Sequence, residues 1–131
     1  AMHIRRNSSL NVYNSIFVGW PYGLYLQNAN VGAVVKNVIF AGMWENFKDK
    51  TSQNYFQTAD LSNLTYASSN DIIAKDGDYT SIVADKIDGA DFSDTALNDA
   101  FFEKVSYKGA FDGKNDWAAN WTNFDPNNTE Y

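Results

Sequence analysis

The sequence contains no cysteine, one histidine and only two prolines among its 131 residues. The absence of cysteine excludes disulfide bonds and thiolate metal sites. Because His3 is the only histidine, a histidine-based catalytic triad and a metal centre built from several histidines are excluded as well. No apolar run approaches the roughly 18 to 20 residues that cross a bilayer, so membrane insertion is not expected.

The composition favours a single folded domain. Apolar residues make up 44% of the chain and aromatic residues 16%, which is ample material for a core. The net charge of −6 is unevenly distributed: residues 1–58 carry five basic and two acidic side chains, and residues 59–131 carry five and fourteen. The acidic part should repel a nucleic-acid backbone, so the sequence predicts no DNA or RNA partner.

An internal echo is the strongest pattern in the chain. The segment Val12–Gly19 returns as Val35–Gly42, 23 residues later, with five of eight positions identical. A period of this length, with β-branched and aromatic residues and no helical spacing, is typical of a parallel β-solenoid whose turns stack on one another. Asn14 and Asn37 occupy the same place in the echo, and we expect them to adopt left-handed bends and form a hydrogen-bonded ladder.

Punctuation by glycine, proline and asparagine divides the chain into regions. Ala1 and Met2 are interpreted as a tag remnant, and residues 3–131 as one domain. Within that domain we predict β-solenoid coils over 3–42, an excursion and loops over 43–90, and a C-terminal cap over 91–131. The strands predicted in the coils are His3–Arg6, Asn11–Val18, Gly23–Gln27 and Ala33–Ala41.

Two short helices and a further strand are also predicted. One helix is expected around Thr51–Thr58, and another begins at Ser93 or Asp94 and continues through Ala100. Residues 101–111 have a strand-like pattern. The aromatic residues Trp117, Trp121 and Phe124 are spaced like one face of a helical turn, which predicts a lid packed over the end of the solenoid.

Two stretches resemble a known class of protein. The segment Asn14–Leu24 resembles a late coil, and Phe101–Phe111 with the following Asp116-Trp117 and Trp121–Pro126 resembles the closing segment, of large exported right-handed parallel β-helix proteins of bacteria. The resemblance implies an all-β fold, a secreted or cell-surface location and mostly unknown activity. It implies no catalytic residues and no cofactor, and it implies a larger parent protein whose preceding coils adjoin the N-terminal edge.

Four aromatic residues of the coil region suggest a second function, glycan binding. Flat rings beside a sheet can stack on sugar faces, and Trp20 and Trp44 lie nearly one coil apart. The alternative is that these rings are covered by the excursion that follows. The candidate glycan-binding residues are Trp20, Tyr22, Tyr25 and Trp44.

Other chemistry has weaker support in the sequence. The acidic runs 76–78 and 112–116 contain the weak calcium candidates Asp76, Asp78, Asp112 and Asp116, although Asp-Gly and Asn-Asp are also ordinary turn sequences. A polysaccharide lyase or hydrolase fragment is a further alternative, with Arg5, Arg6 and Lys36 as a basic group. No paired carboxylates accompany them at a readable spacing, so we expect a non-enzymatic structural domain. The open first strand is also expected to permit self-association.

Overall fold

The structure, a computed structural model, describes residues 1–75, 78, 81–119, 121–123 and 126–128. Within these residues the chain is mostly β, with nine strands and several helices of three or four residues. The strands are β1 Met2–Arg5, β2 Asn11–Tyr13, β3 Ile16–Val18, β4 Tyr22–Gln27, β5 Val34–Lys36, β6 Ile39–Ala41, β7 Glu45–Phe47, β8 Asp60–Ser62 and β9 Thr65–Ala67. The α-helices are α1 Lys50–Gln53, α2 Ser69–Ile72 and α3 Ala84–Ile87, and the 3₁₀ helices are Phe56–Thr58, Thr95–Leu97 and Pro126–Asn128.

The strands form three parallel sheets, and each sheet takes every third strand. The first sheet is β1-β4-β7, the second β2-β5-β8 and the third β3-β6-β9. We call β1–β3 the first repeat, β4–β6 the second and β7–β9 the third. Ile16 pairs with Ile39 in parallel, so the two copies of the echo lie side by side in the same direction, as the sequence predicts.

Left-handed asparagines divide strands that the sequence predicts as continuous. Asn14, Asn37 and Asn63 have φ angles of 47°, 57° and 53°, and each lies between a strand of the second sheet and one of the third. Asparagine tolerates this conformation better than most residues. The predicted strands Asn11–Val18 and Ala33–Ala41 are therefore each two short strands joined at a bend.

The asparagine ladder is present, with side chains bonded to each other. Asn37 Nδ2 donates to Asn14 Oδ1 at 2.7 Å and to the Gly89 carbonyl at 2.8 Å. Asn14 Nδ2 in turn donates to the Asp91 carbonyl at 2.9 Å. The ladder therefore also attaches the C-terminal part of the chain to the first and second repeats.

Inward-facing apolar side chains stack in columns from repeat to repeat. The rings of Phe17, Phe40 and Tyr66 are nearly parallel, with centroids 5.7 and 5.6 Å apart. Phe40 is fully buried, whereas the outer two rings are only partly buried. The buried aliphatic residues of the second repeat's core are Leu24, Leu26, Val35 and Val38. Since burying a side chain of this kind contributes about 1.5–3 kcal/mol, the second repeat forms the centre of the core.

The third repeat lies where the sequence predicts a departure from the coils. Its strands extend all three sheets over residues 45–67. The pairing offset of 23 residues between β4 and β7 becomes 26 between β5 and β8. The additional residues belong to the segment that contains α1 and the first 3₁₀ helix, which are the short form of the helix expected around Thr51–Thr58. This insertion hides the period in the sequence.

Aromatic side chains pack together at the edge formed by the third repeat. Phe47 contacts Phe56 and Tyr66 edge-on, with ring centroids 4.7 and 5.7 Å apart. Phe56 comes from the segment between β7 and β8, and Tyr55 beside it also packs against the core. The inserted segment therefore covers part of this end of the stack.

The chain after the third repeat covers the outer face of the third sheet. On β6, Ile39 and Ala41 point away from Phe40, because side chains alternate along a strand. They form a second buried cluster with Ile72 of α2 and Ile87 of α3. The third sheet is therefore buried on both faces, which the sequence does not predict.

The C-terminal residues differ from the predicted lid. Trp117 and Trp121 do not pack down over an end of the stack but are exposed. Trp117 stacks on Phe111 at 5.5 Å and donates its indole N–H to the Ala110 carbonyl at 2.6 Å. These rings pack on one another because the short turn at 117–119 carries them away from the core. Phe124, the third predicted member, lies outside the described residues.

Two local predictions near residue 100 are partly correct. Asp94 accepts a hydrogen bond from the Ala96 N–H and caps a helix, but this 3₁₀ helix ends at Leu97. Over residues 101–111 there is no strand, and only one antiparallel bridge joins Tyr107 to Asp88. Among the described residues, no helix combines the length and apolar character needed to span a membrane.

Candidate functional site

Three of the four aromatic candidates line one groove beside the first sheet. Trp20, Tyr22 and Tyr25 border a groove of about 310 Å³ together with His3 and Lys48. Trp20 is 53% exposed and Tyr22 36% exposed, so their rings are accessible to a ligand. The turn before β4 carries Trp20, and β4 itself holds the two tyrosines.

Tyr25 stands between two groups on neighbouring strands. His3, its register partner on β1, stacks on the Tyr25 ring at 4.4 Å. On the other side, Lys48 Nζ lies 4.5 Å from the ring centroid, a cation–π contact. Neither His3 nor Lys48 was predicted at this site, although the 23-residue period relates Lys48 to Tyr25 directly. The groove thus combines flat apolar surface with a positive charge.

Trp44 is separate from this groove. The Glu45 N–H donates to the Pro21 carbonyl at 3.0 Å, which places Trp44 beside the proline rather than beside Trp20. Trp44 does not line the groove and is 84% exposed. The alternative interpretation, that Trp20 and Trp44 are covered by the segment after residue 43, is wrong because both rings face solvent.

A polar cluster on the second sheet was not predicted from the sequence. Lys36 Nζ lies 2.8 Å from Asp60 Oδ2 and 3.1 Å from Asp94 Oδ2. Tyr13 lines the same cleft of about 350 Å³. Lys36 and Asp60 lie on adjacent strands, but the change of offset in the third repeat conceals their proximity in the sequence.

The electrostatics of this cluster favour fixed charges. Hydrogen bonds to Asp60 and Asp94 raise the pKa of Lys36 well above its ordinary value. The pKa of Asp94 is lowered, mainly by the Ala96 N–H that it accepts and then by Lys36. Desolvation raises the pKa of Tyr13, and the negative charge of Asp94 adds to this effect. Lys36 therefore stays a cation and Asp94 an anion near neutral pH, which suits a structural clamp better than proton transfer.

The other basic candidates do not join this cluster. Arg5 ends β1, and Arg6 follows it in a left-handed conformation with φ of 56°. Both are exposed, and neither is among the residues that line the Lys36 cleft. The structure therefore does not assemble the basic group of Arg5, Arg6 and Lys36 into one site.

The calcium candidates that are described take part in turns. Asp112 accepts hydrogen bonds from the N–H groups of Lys114 and Asn115, and from the Asn115 side chain. These bonds lower the pKa of the Asp112 carboxyl, with the Asn115 N–H contributing most. Asp116 accepts from the Ala118 N–H at 3.0 Å. Both carboxylates thus satisfy local backbone donors.

The remaining calcium candidates contribute little more. Asp78 is part of a turn, because its N–H donates to the Lys75 carbonyl and its carbonyl accepts from the Ser81 N–H. Asp76 lies outside the described residues. Across the described part of the chain, no three metal-binding side chains are grouped closely enough to hold an ion.

Comparison with protein families, with curated proteins and with solved structures found no match to this chain. Its function is therefore argued from the geometry above. That geometry offers one accessible aromatic groove, one charged clamp and a regular stack of parallel strands.

Proposed function

We propose that the chain is a non-enzymatic structural unit near the end of a right-handed parallel β-helix. The observation that carries this proposal is the pairing of each strand with the third strand after it, in parallel, around one column-like core. Crossovers between parallel strands of one sheet are right-handed in about 98% of cases, which supports the proposed handedness. A stack of this kind gains stability from each neighbouring repeat.

The charged groups support a structural role. Lys36, the central cation of the polar cluster, is held between two carboxylates, one on β8 and one on the C-terminal segment. The asparagine ladder likewise bonds to Gly89 and Asp91. In both places the polar side chains of the coil bind the protein itself, so they hold the C-terminal segment against the sheets.

The proposed location is outside a bacterial cell, as part of a larger surface protein. This rests on the resemblance of Asn14–Leu24 and of the closing segment to exported β-helix proteins. The unpaired outer side of the first repeat supports continuation of the stack, because exposed strand edges are normally paired or covered.

Hydrogen exchange tests the structural proposal. The amides of β4–β6 should exchange slowest, those of β1–β3 and β7–β9 faster, and those near Trp117 fastest, since protection follows burial and packing. Slowest exchange in residues 88–119 would contradict the proposal. The lyase alternative is tested separately: incubation with acidic polysaccharides should release no unsaturated sugars, with or without calcium, and release would overturn the non-enzymatic assignment.

A second candidate function, glycan binding, is favoured by the groove beside Tyr25. Exposed rings of Trp20 and Tyr22 next to a lysine provide a stacking surface with a charged hydrogen-bond donor. Glycan-array binding that is lost in Trp20→Ala and retained in Trp44→Ala would support it. The second variant is a matched control, because Trp44 is more exposed but lies outside the groove. Absence of binding across bacterial, host and plant glycans would count against it.

A further inference from the structure

The edge of the first repeat is bordered by grooves. A groove of about 540 Å³ runs along β2, and another of about 390 Å³ follows Ile16 to Trp20 along β3. The outer side of β2 has no strand beside it among the described residues. Such an edge presents backbone donors and acceptors to any extended chain that approaches.

The core columns are incomplete at this edge. Val12 and Phe17 are only partly buried, whereas Val35 and Phe40, their register partners in the second repeat, are fully buried. The same inward positions thus lose their cover on moving from the second repeat to the first. One more strand on the outer side would cover them.

The far wall of the larger groove comes from the C-terminal segment. Phe92 and Phe102 line it opposite β2, together with Val105. This wall is fixed at both ends to Asn14: the Asp91 N–H donates to the Asn14 side chain at 2.9 Å, and the Gly109 N–H donates to its carbonyl at 2.7 Å. Residues 92–107 therefore form an apolar wall that borders the open edge.

We propose that this groove receives a β-strand from one further repeat of the same kind, joined ahead of β1 and running parallel to β2. The inference rests on the proposed function and names the partner of its open edge. The inward side chains of that strand continue the columns of Val12 and Phe17. An outward apolar side chain faces Phe92 and Phe102, as the outward position of Val34 next to Asn11 would do in a copied repeat.

The test extends the chain by a copy of its own residues. Residues 22–45 are placed directly before Ala1, which keeps the register because Met2 pairs with Leu24 and Tyr22 with Glu45. Since the chain has no cysteine, Phe102→Cys supplies a single reporter in the wall. Phe101→Cys is the matched control, because Phe101 is 85% exposed and does not line the groove, whereas Phe102 is 39% exposed and does.

In the extended chain, maleimide labelling of Phe102→Cys should slow by about tenfold or more, with Phe101→Cys unchanged within about twofold. The amides of β2 and β3 should exchange more slowly than in the original chain. If those amides gain protection while Phe102→Cys stays reactive, the wall does not cover the added repeat and this inference is wrong. If they gain no protection, the proposed function itself fails. Masking of Phe102→Cys in the original chain that grows with protein concentration would identify a second copy as occupant and overturn the proposal.

Discussion

The first and third repeats end the same three sheets in opposite ways. At the third repeat, Phe47, Phe56 and Tyr66 pack on one another, and the inserted segment between β7 and β8 covers part of the core. At the first repeat, Phe17 has a ring partner on one side only, and open grooves follow the strands. The third repeat therefore resembles a finished end and the first an interface.

This difference arises from residues inserted into a repeating frame. The first and second repeats keep the 23-residue spacing, so the second can bury the inner face of the first without covering its outer edge. The third repeat departs from the spacing only where α1 and the first 3₁₀ helix are inserted. A stack can thus be closed by a local insertion while its strands stay in register.

The largest expected effect concerns the middle of the phenylalanine column. Phe40→Ala should lower the free energy of unfolding by about 3–5 kcal/mol, because the ring is fully buried between two others. Phe17→Ala, at the open end, should cost about 1–2 kcal/mol, since its ring is partly solvated already. Urea unfolding of both variants measures the difference. Equal losses would mean that the two repeats are equally covered.

The next effect concerns the asparagine ladder. Asn37→Ala should cost about 2–3 kcal/mol, because it removes two hydrogen bonds and forces alanine into a left-handed bend. Asn37→Gly keeps the bend and should cost less. Asn63→Gly in the third repeat is the control and should have little effect, since the fold needs only its φ of 53°. Thermal unfolding of the three variants checks this order, and a neutral Asn37→Ala would contradict the ladder.

The attachment of the C-terminal segment should depend on pH. The pKa of folded Asp94 is lowered below its unfolded value of about 3.9, so its contribution is present above that value and is lost as the pH falls through the folded pKa. Acid should therefore weaken the fold, and Asp94→Asn should make that acid dependence shallower. Urea midpoints measured from neutral pH downward test this. Glu45→Gln, on the exposed edge strand β7, controls for the loss of one charge; an equal flattening in that variant would exclude a specific role for Asp94.

The smallest expected effect lies at the closed end. Burial raises the pKa of Tyr66 to about 12, and its hydroxyl oxygen has no hydrogen-bond partner among the described atoms. Because the unfolded phenol ionises near pH 10, stability should fall as the pH rises between these values. Tyr66→Phe should be nearly neutral at pH 7 and should reduce this alkaline loss. A large destabilisation of Tyr66→Phe at pH 7 would show that the hydroxyl has a partner.

The sequence was informative where the period is regular. Ile16 and Ile39 are identical residues in an exact echo, so their parallel pairing could be predicted, and so could the left-handed bends at Asn14 and Asn37. Asn63 was missed because the insertion shifts its spacing to 26 residues. A period search allowing one insertion between strands would have recovered it.

Contacts between distant segments had no comparable signal. Lys36 meets Asp94 across 58 residues of sequence, and Asn37 meets Gly89 across 52. The cover of the third sheet by Ile72 and Ile87 likewise depends on how irregular chain folds back, which no period encodes. The predicted aromatic lid failed for a related reason: a helical spacing of Trp117 and Trp121 predicts one shared face, but not what that face contacts.

Scalar couplings across backbone hydrogen bonds test the stacked parallel arrangement most directly. The account predicts NMR couplings from the Ile39 amide nitrogen to the Ser15 carbonyl carbon, and from the Thr65 amide nitrogen to the Val38 carbonyl carbon, because these bonds join successive repeats at 2.9 Å. Finding both would establish the same direction and register across all three repeats. Couplings that join the two copies of the echo in antiparallel order, or none between them, would contradict the account.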